Sequence, residues 1–194
     1  MDWLSARLQE LGHCPASILD FGCGVGTNAP FLLNLIGASS LLGVDVSASS
    51  LEVARRATHD DHATFSVLEE YRPNGEHDLA FTNGVFHHIP PAERAAAIEI
   101  IYRGLRPGGL LAFWENNPWN PGTRYVMSRI PFDRDAITLS ANEAQGLIRT
   151  AGFRVLRTDF LFIFPKALAW LRKLEPHLSM LPFGAQYQVL CKKE

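Results

Sequence analysis

The run Ile18-Leu19-Asp20-Phe21-Gly22-Cys23-Gly24-Val25-Gly26-Thr27 decides how the rest of the chain is read. A short apolar segment ends in an acid, three glycines follow at alternate positions, and a helical pattern opens at Asn28. A strand that turns on glycines into a helix start makes a cradle for a polar ligand. Glycine permits the tight turn and the close backbone approach, and the helix start offers unpaired N–H groups.

Working outward, Leu4, Leu8 and Leu11 recur at helical spacing ahead of Gly12, and 17–21 reads as the first strand. The spacing predicts a helix over 28–36, in which Pro30 is tolerated because it falls in the opening turn. A second strand over 41–46 carries Asp45, and Ser49-Ser50-Leu51-Glu52 has the form of a capping box opening a helix to about Thr58. Strands over 63–67 and 78–82 follow, then a helix over 92–105 and a turn at Arg106-Pro107-Gly108-Gly109. The fifth strand is expected over 110–114. From 116 to 139 periodicity fails, which in a compact domain points to a lid or binding loop. Ser140 and Glu143 form a second capping box, and strands are expected over 153–164 and 185–192 around a helix carrying Trp170.

This alternation predicts an α/β fold: a Rossmann-like, doubly wound, mainly parallel seven-stranded sheet with an antiparallel C-terminal strand. The 194 residues are expected to form one domain, with a cofactor-binding part over about 15–115 and an acceptor-side loop and C-terminal edge over about 116–194. Ligands of such sheets sit beyond the carboxyl ends of the strands, where Asp20 to Gly26, Asp45, Glu69, Asn83 and Glu115 are all expected.

Composition narrows the partners. A formal charge of -2 gives no electrostatic case for nucleic acid. Cys14, Cys23 and Cys191 have no metal-ligand spacing, so neither a disulfide framework nor a metal site is expected, in keeping with a cytoplasmic setting. The first residues lack signal-peptide character, and no apolar run approaches the ~18 residues of a membrane span, so no stable membrane insertion is expected. Oligomeric state is left open. The 160–164 run and the helix with Lys166, Arg172 and Lys173 are expected to be a core strand and a packing helix, with contact to a membrane surface or a lipid-like acceptor as the alternative. Trp114, Trp119 and Trp170 are read as packing residues rather than as stackers on a cofactor.

Two details bear on the ligand. Asp45 lies nineteen residues after Gly26, which suits an acceptor for a ribose diol in several nucleotide folds. Thr27 stands where a dinucleotide fingerprint wants a small residue, and that fingerprint does not predict Asp20. The chain resembles the class I S-adenosylmethionine-dependent methyltransferases. The resemblance rests on Leu19-Asp20-Phe21-Gly22-Cys23-Gly24-Val25-Gly26, Gly43-Val44-Asp45-Val46-Ser47, Asp78-Leu79-Ala80-Phe81-Thr82-Asn83, Val85-Phe86-His87-His88-Ile89 and Leu105-Arg106-Pro107-Gly108-Gly109, in the family's order and spacing over roughly 15–115.

The resemblance implies S-adenosyl-L-methionine as cofactor. Gly22, Cys23, Gly24 and Gly26 would close on its methionine moiety, Asp20 would meet the ammonium directly or through water, and Asp45 with Val46 would hold the ribose. Glu69 would accept from the adenine amino group with Leu68 against the ring, and Asn83 would lie beside the methionine. The Cys23 side chain is read as a packing residue rather than a nucleophile. The implied reaction is in-line methyl transfer to a small-molecule acceptor, at a hydroxyl oxygen. His87 and His88 are the general-base candidates, with a structural or substrate-contact role as the alternative. Glu115 and Asn116 are candidates for holding the acceptor, and Arg124, Tyr125 and Arg129 for lining its pocket. Two further readings stand beside this one: an NAD(P)-dependent oxidoreductase, and a catalytically silent cofactor-binding subunit of a larger complex.

Overall fold

The computed structural model describes residues 2–34 and 36–194. Seven strands lie in one sheet in the hydrogen-bonded order β3-β2-β1-β4-β5-β7-β6, with the C-terminal strand antiparallel. They are β1 (Ser17–Phe21), β2 (Ser40–Asp45), β3 (Ala63–Val67), β4 (His77–Asn83), β5 (Leu105–Asn116), β6 (Phe153–Leu161) and β7 (Gln186–Lys193). The helices are α1 (Asp2–Glu10), α2 (Ala29–Asn34), α3 (Ala48–Ala57), α4 (Arg94–Gly104), α5 (Pro121–Met127), α6 (Ala141–Thr150) and α7 (Glu175–Leu178). The chain divides into two compact units. One comprises the residues up to Thr82 with Ile100–Ala112 and Lys193; the other comprises Asn83–Glu99, Phe113–Lys192 and Glu194.

In the first unit, β1 pairs in parallel with β2 and β4, and β2 with β3, so Asp20 stands level with Gly43 and Phe81 and Asp45 with Val67. β1 and β4 are buried almost throughout, as expected for parallel strands covered on both faces. Ile18, Leu19, Leu79 and Phe81 are fully enclosed, each contributing on the order of 1.5–3 kcal/mol of burial energy. At the other end of the same strands the Asp78 carboxylate accepts from the Ala16 and Ser17 amides at 2.6 and 2.9 Å and pairs with Arg106 Nε at 2.7 Å. That pins the strand starts and leaves their carboxyl ends to the loops.

In the second unit α6 begins at the expected capping box, with Glu143 N donating to Ser140 Oγ and Ser140 N donating to Glu143. Asn117 is wholly buried, and its Nδ2 donates to the carbonyls of Pro182 and Gly184 at 3.1 and 2.8 Å. Thr123 Oγ1 donates to Ala185 O at 2.6 Å. The segment after β5 is therefore stitched to the segment before β7 by side chains bonded to backbone.

Several expectations need correction. The α3 cap is Ser47, whose hydroxyl accepts from the Ser50 amide at 3.2 Å, and Ser49 lies inside the helix. β5 runs from Leu105 to Asn116, taking in the expected turn. The irregular 116–139 segment holds α5, capped by Asn120 with Pro121 in the first turn, and a 3-10 turn over Pro131–Asp133. The expected helix over 28–36 is observed as Ala29–Asn34; Leu35 lies outside the described residues. The expected packing helix near Trp170 is a 3-10 run, Lys166–Leu174, interrupted at Leu168 and without a single buried residue, followed by α7. Trp114 is buried, but Trp119 and Trp170 are exposed.

Candidate functional site

The first unit carries the glycine cradle. Gly22 N and Cys23 N donate to Val44 O at 2.8 and 3.1 Å, tying the loop after β1 to β2. Gly24 and Gly26 adopt φ of +54° and +77°, conformations that glycine reaches without penalty. The two differ in their surroundings. A Cβ on Gly26 would sit 3.0 Å from the Ala54 Cβ, so this glycine lets α3 pack close. A Cβ on Gly24 would meet nothing within 4 Å, so this glycine leaves open space above the loop.

Asp20 closes the bottom of the cradle. It is 1% exposed, and neither carboxylate oxygen has a hydrogen-bond partner among the described residues. Burial pushes its pKa up from 3.8 to about 7, against the nearby Asn28 side chain, which lowers it; the charge of Asp45 adds to the rise. A buried carboxylate left unpaired costs free energy in the free protein and is released from that cost by a cationic ligand.

Asp45, at the end of β2, accepts from Gly24 N through Oδ2 at 2.8 Å and from Ser47 N through Oδ1 at 2.9 Å. It thus clamps the glycine loop to the start of α3. A carboxylate has about four lone-pair positions, so two remain for hydroxyl donors. Val46 is exposed beside it. Leu68 is half-buried, with its amide donating to Asp45 O at 2.9 Å, and Glu69 is exposed on the following turn. Cys23 is buried, its Sγ directed at Gly43, and burial followed by the charges of Asp20 and Asp45 pushes its thiol far above the ordinary range. That chemistry fits packing, not nucleophilic attack.

These residues fit an S-adenosylmethionine-type ligand. The orphaned Asp20 suits an ammonium, the spare lone pairs of Asp45 suit a ribose diol, and the open face at Gly24 gives room for close approach.

The second unit carries the histidines. Asn83, half-buried at the end of β4, precedes them. Glu115 is 1% exposed and its oxygens are taken up: Oε1 accepts from Phe86 N at 2.6 Å, and Oε2 accepts from His87 Nδ1 at 2.6 Å and from Asn116 N at 3.2 Å. A carboxylate bound this way is an acceptor, so His87 Nδ1 carries the proton and Nε2 is the nitrogen left for chemistry. Glu115 therefore orients His87 and has no oxygen turned to an acceptor molecule.

His87 Nε2 lies 3.6 Å from Asp133 Oδ1, and His88 Nε2 lies 3.6 Å from the same oxygen. Burial would lower the His87 pKa, but the hydrogen bond and charge of Glu115, with Asp133, leave it raised above 6.5. His88 goes the other way, lowered by burial and by the charge of His87 over the opposing carboxylates. The His88 ring packs against Phe132 at 4.4 Å between centroids.

Asp133 was not among the residues singled out from sequence. It belongs to the segment laid over the histidines, which is held there by backbone. Ile137 N donates to His87 O at 2.8 Å, and the buried Arg94 donates to the carbonyls of Ile89 and Ile137. The three donor atoms of His87, His88 and Asp133 lie within 4.8 Å of one another, a spacing that could take a common cation.

A cleft of ≈ 690 Å³ in the same unit is lined by Asn116, Val126, Ile130, Asp133, Phe162 and Arg172, among others. Arg124, Tyr125 and Arg129 are exposed, with the Arg129 guanidinium 4.5 Å over the Tyr125 ring. Of these three, none lines the cleft. Asn116 does line it, its Oδ1 accepting from Gln186 Nε2 at 3.1 Å.

The family described as a methyltransferase domain matches residues 18–109. A trans-aconitate 2-methyltransferase from Azoarcus sp. (strain BH72) is 30% identical over 116 residues, covering 60% of this chain and 45% of the relative. The chain thus spans less than half the length of that relative. Among solved structures, an S-adenosylmethionine-dependent methyltransferase from Archaeoglobus fulgidus superposes with a TM-score of 0.71 at 17% identity, covering 99% of this chain and 94% of that one. One from Mesorhizobium loti gives 0.67 at 20% identity, covering 91% and 90%. At such identities the structural likeness establishes the fold.

Proposed function

We propose that this chain is a class I S-adenosylmethionine-dependent methyltransferase, as the methyltransferase-domain match over residues 18–109 supports, and that it transfers a methyl group to a hydroxyl oxygen of a small molecule with His87 as general base. The observation that carries the reading is the buried, unpartnered Asp20 carboxylate at the foot of the glycine cradle. Bound there, S-adenosyl-L-methionine supplies an electrophilic methyl on a sulfonium. The chain's own residues do the rest. Asp20 neutralises the methionine ammonium, Asp45 accepts from the ribose hydroxyls, and Leu68 and Glu69 border the adenine.

The acceptor side belongs to the second unit. Glu115 fixes the His87 tautomer, so that Nε2 can take the proton of an acceptor hydroxyl as the new C–O bond forms. Holding base and acceptor in register supplies a large share of the acceleration, and proton removal typically adds about 10²–10⁴-fold. Asp133 stabilises the imidazolium that results. The cleft offers the cation of Arg172, the carboxylate of Asp133 and a largely apolar wall. Such a lining suits a hydroxylated molecule with an apolar part better than the trans-aconitate named for the relatives, whose several carboxylates call for several cations.

The test is release of S-adenosylhomocysteine from S-adenosylmethionine across a panel of hydroxylated small molecules, with wild type and His87→Gln. Turnover on at least one acceptor, lost in His87→Gln while cofactor binding persists, is the expected result. Thermal protection by NADH with none by S-adenosylhomocysteine would overturn the cofactor assignment, and undiminished turnover in His87→Gln would overturn the base.

A further inference from the structure

We propose that the second unit docks onto an anionic lipid membrane through the aromatic and basic surface bordering its cleft. Among the described residues, thirteen of the seventeen large apolar side chains that are exposed fall in two stretches, 119–137 and 162–183. Both stretches contribute walls to the ≈ 690 Å³ cleft. Trp119, Phe132, Trp170 and Met180 are 75, 77, 73 and 74% exposed. Apolar exposure concentrated in two stretches that wall one cleft points to an interaction surface, whereas scattered single residues do not. Trp is the side chain most at home at a lipid–water boundary, with an apolar ring body and one N–H donor.

The backbone there is not built for an interior. The Lys166–Leu174 run buries no side chain and breaks helical geometry at Leu168 (φ -113°, ψ 30°). Just before it, Phe162 is held at φ +59°, a strained conformation for a residue with a Cβ. The result is an aromatic at the cleft wall that remains 45% exposed.

Charge selects the occupant. The two stretches contain six Lys and Arg against three Asp and Glu, whereas the whole chain has 18 against 20. Lys166 and Lys173 are exposed on either side of Trp170, and neither forms an ion pair among the described residues. Basic side chains flanking an exposed Trp match an anionic headgroup layer. A second copy docked on the same surface by a two-fold axis would oppose these cations to themselves. No helix of the described residues is long and apolar enough to cross a membrane, so the contact would be at the surface.

The test uses the full chain with vesicles of phosphatidylcholine alone and of equimolar phosphatidylcholine and phosphatidylglycerol, read by co-sedimentation and Trp fluorescence. Binding to the anionic vesicles, with a blue shift and release by salt, is expected. Lys166→Gln with Lys173→Gln should weaken partitioning about fivefold per charge, while Lys166→Arg with Lys173→Arg should retain it. Trp170→Ser should weaken binding and reduce the blue shift, and Trp119→Ser with Trp170→Ser should remove it. S-adenosylhomocysteine binding, measured in parallel, should be unchanged in all of these variants, which separates a failed surface from a failed cofactor site. Equal indifference to both vesicle types would overturn the proposal. So would concentration-dependent dimerisation of the wild type that the Trp170→Ser change abolishes without any vesicle binding.

Discussion

Replacing Asp20 by Asn should stabilise the free protein and cripple its ligand binding. The carboxyl is 1% exposed and its pKa rises from 3.8 to about 7. Each unit is worth about 1.4 kcal/mol, so keeping this group ionised costs roughly 4 kcal/mol of stability. The sign follows from which state holds the proton. The folded chain binds it more tightly than the unfolded one. The penalty is therefore absent below about pH 4, grows as pH rises, and is complete once pH passes about 7.

Asn removes the charge but leaves a buried amide that itself costs about 1–3 kcal/mol if unpaired. The net gain expected at pH 8 is about 1–3 kcal/mol, or some 2–10 °C in Tm for a chain of this size. At pH 4 the advantage should vanish. Affinity for S-adenosylhomocysteine should fall by about ten- to a hundredfold at pH 8, the worth of one charge-assisted contact. Thermal unfolding and calorimetric titration at the two pH values read both effects. A variant less stable than wild type at pH 8, or one binding the ligand equally well, would refute the reasoning.

Three further outcomes are expected. Removing the carboxylate of Asp133 as Asp133→Asn should move the base-limited arm of the pH–rate profile to lower pH, because Asp133 helps to raise the His87 pKa and a base works above its pKa; an unmoved arm would exclude it from the network. Chelators should leave turnover intact if the three donor atoms of His87, His88 and Asp133 serve proton transfer, whereas loss of turnover restored by a divalent cation would assign them to a metal. Gly26→Ala should lower Tm by several degrees, since the new Cβ would lie 3.0 Å from Ala54 Cβ at a φ of +77°; Gly24→Ala, strained at φ +54° but with nothing within 4 Å of its Cβ, should cost the fold less than Gly26→Ala and weaken the ligand besides.

Much of the first unit was legible because its signals are local. The apolar 17–21 run, the alternate glycines and the acid at the end of each early strand lie within short windows, and strand burial follows the apolar pattern directly. Ser47 escaped because Ser49, two positions on, satisfied the same capping pattern; only backbone geometry separates them. In the second unit the decisive contacts are far apart in sequence. Glu115 meets His87 across twenty-eight positions, and Asp133 reaches the histidines only because Arg94 and the His87 carbonyl hold its segment in place. Spacing carries no record of such pairings. The one available hint is that Asp133 and Asp135 are the sole acids between 116 and 139. Trp119 and Trp170 misled for a different reason. Large apolar residues are expected inside, and sequence alone does not say that the segments carrying them lie on the surface.

Asp45 clamps the glycine loop to the start of α3 while keeping lone pairs for a ribose. Calorimetric titration of S-adenosylhomocysteine into the wild type and into Asp45→Ala tests it most directly. One ligand per chain is expected for the wild type, with affinity at least tenfold weaker in the variant. Equal affinity in the two, or no binding to the wild type, would contradict it.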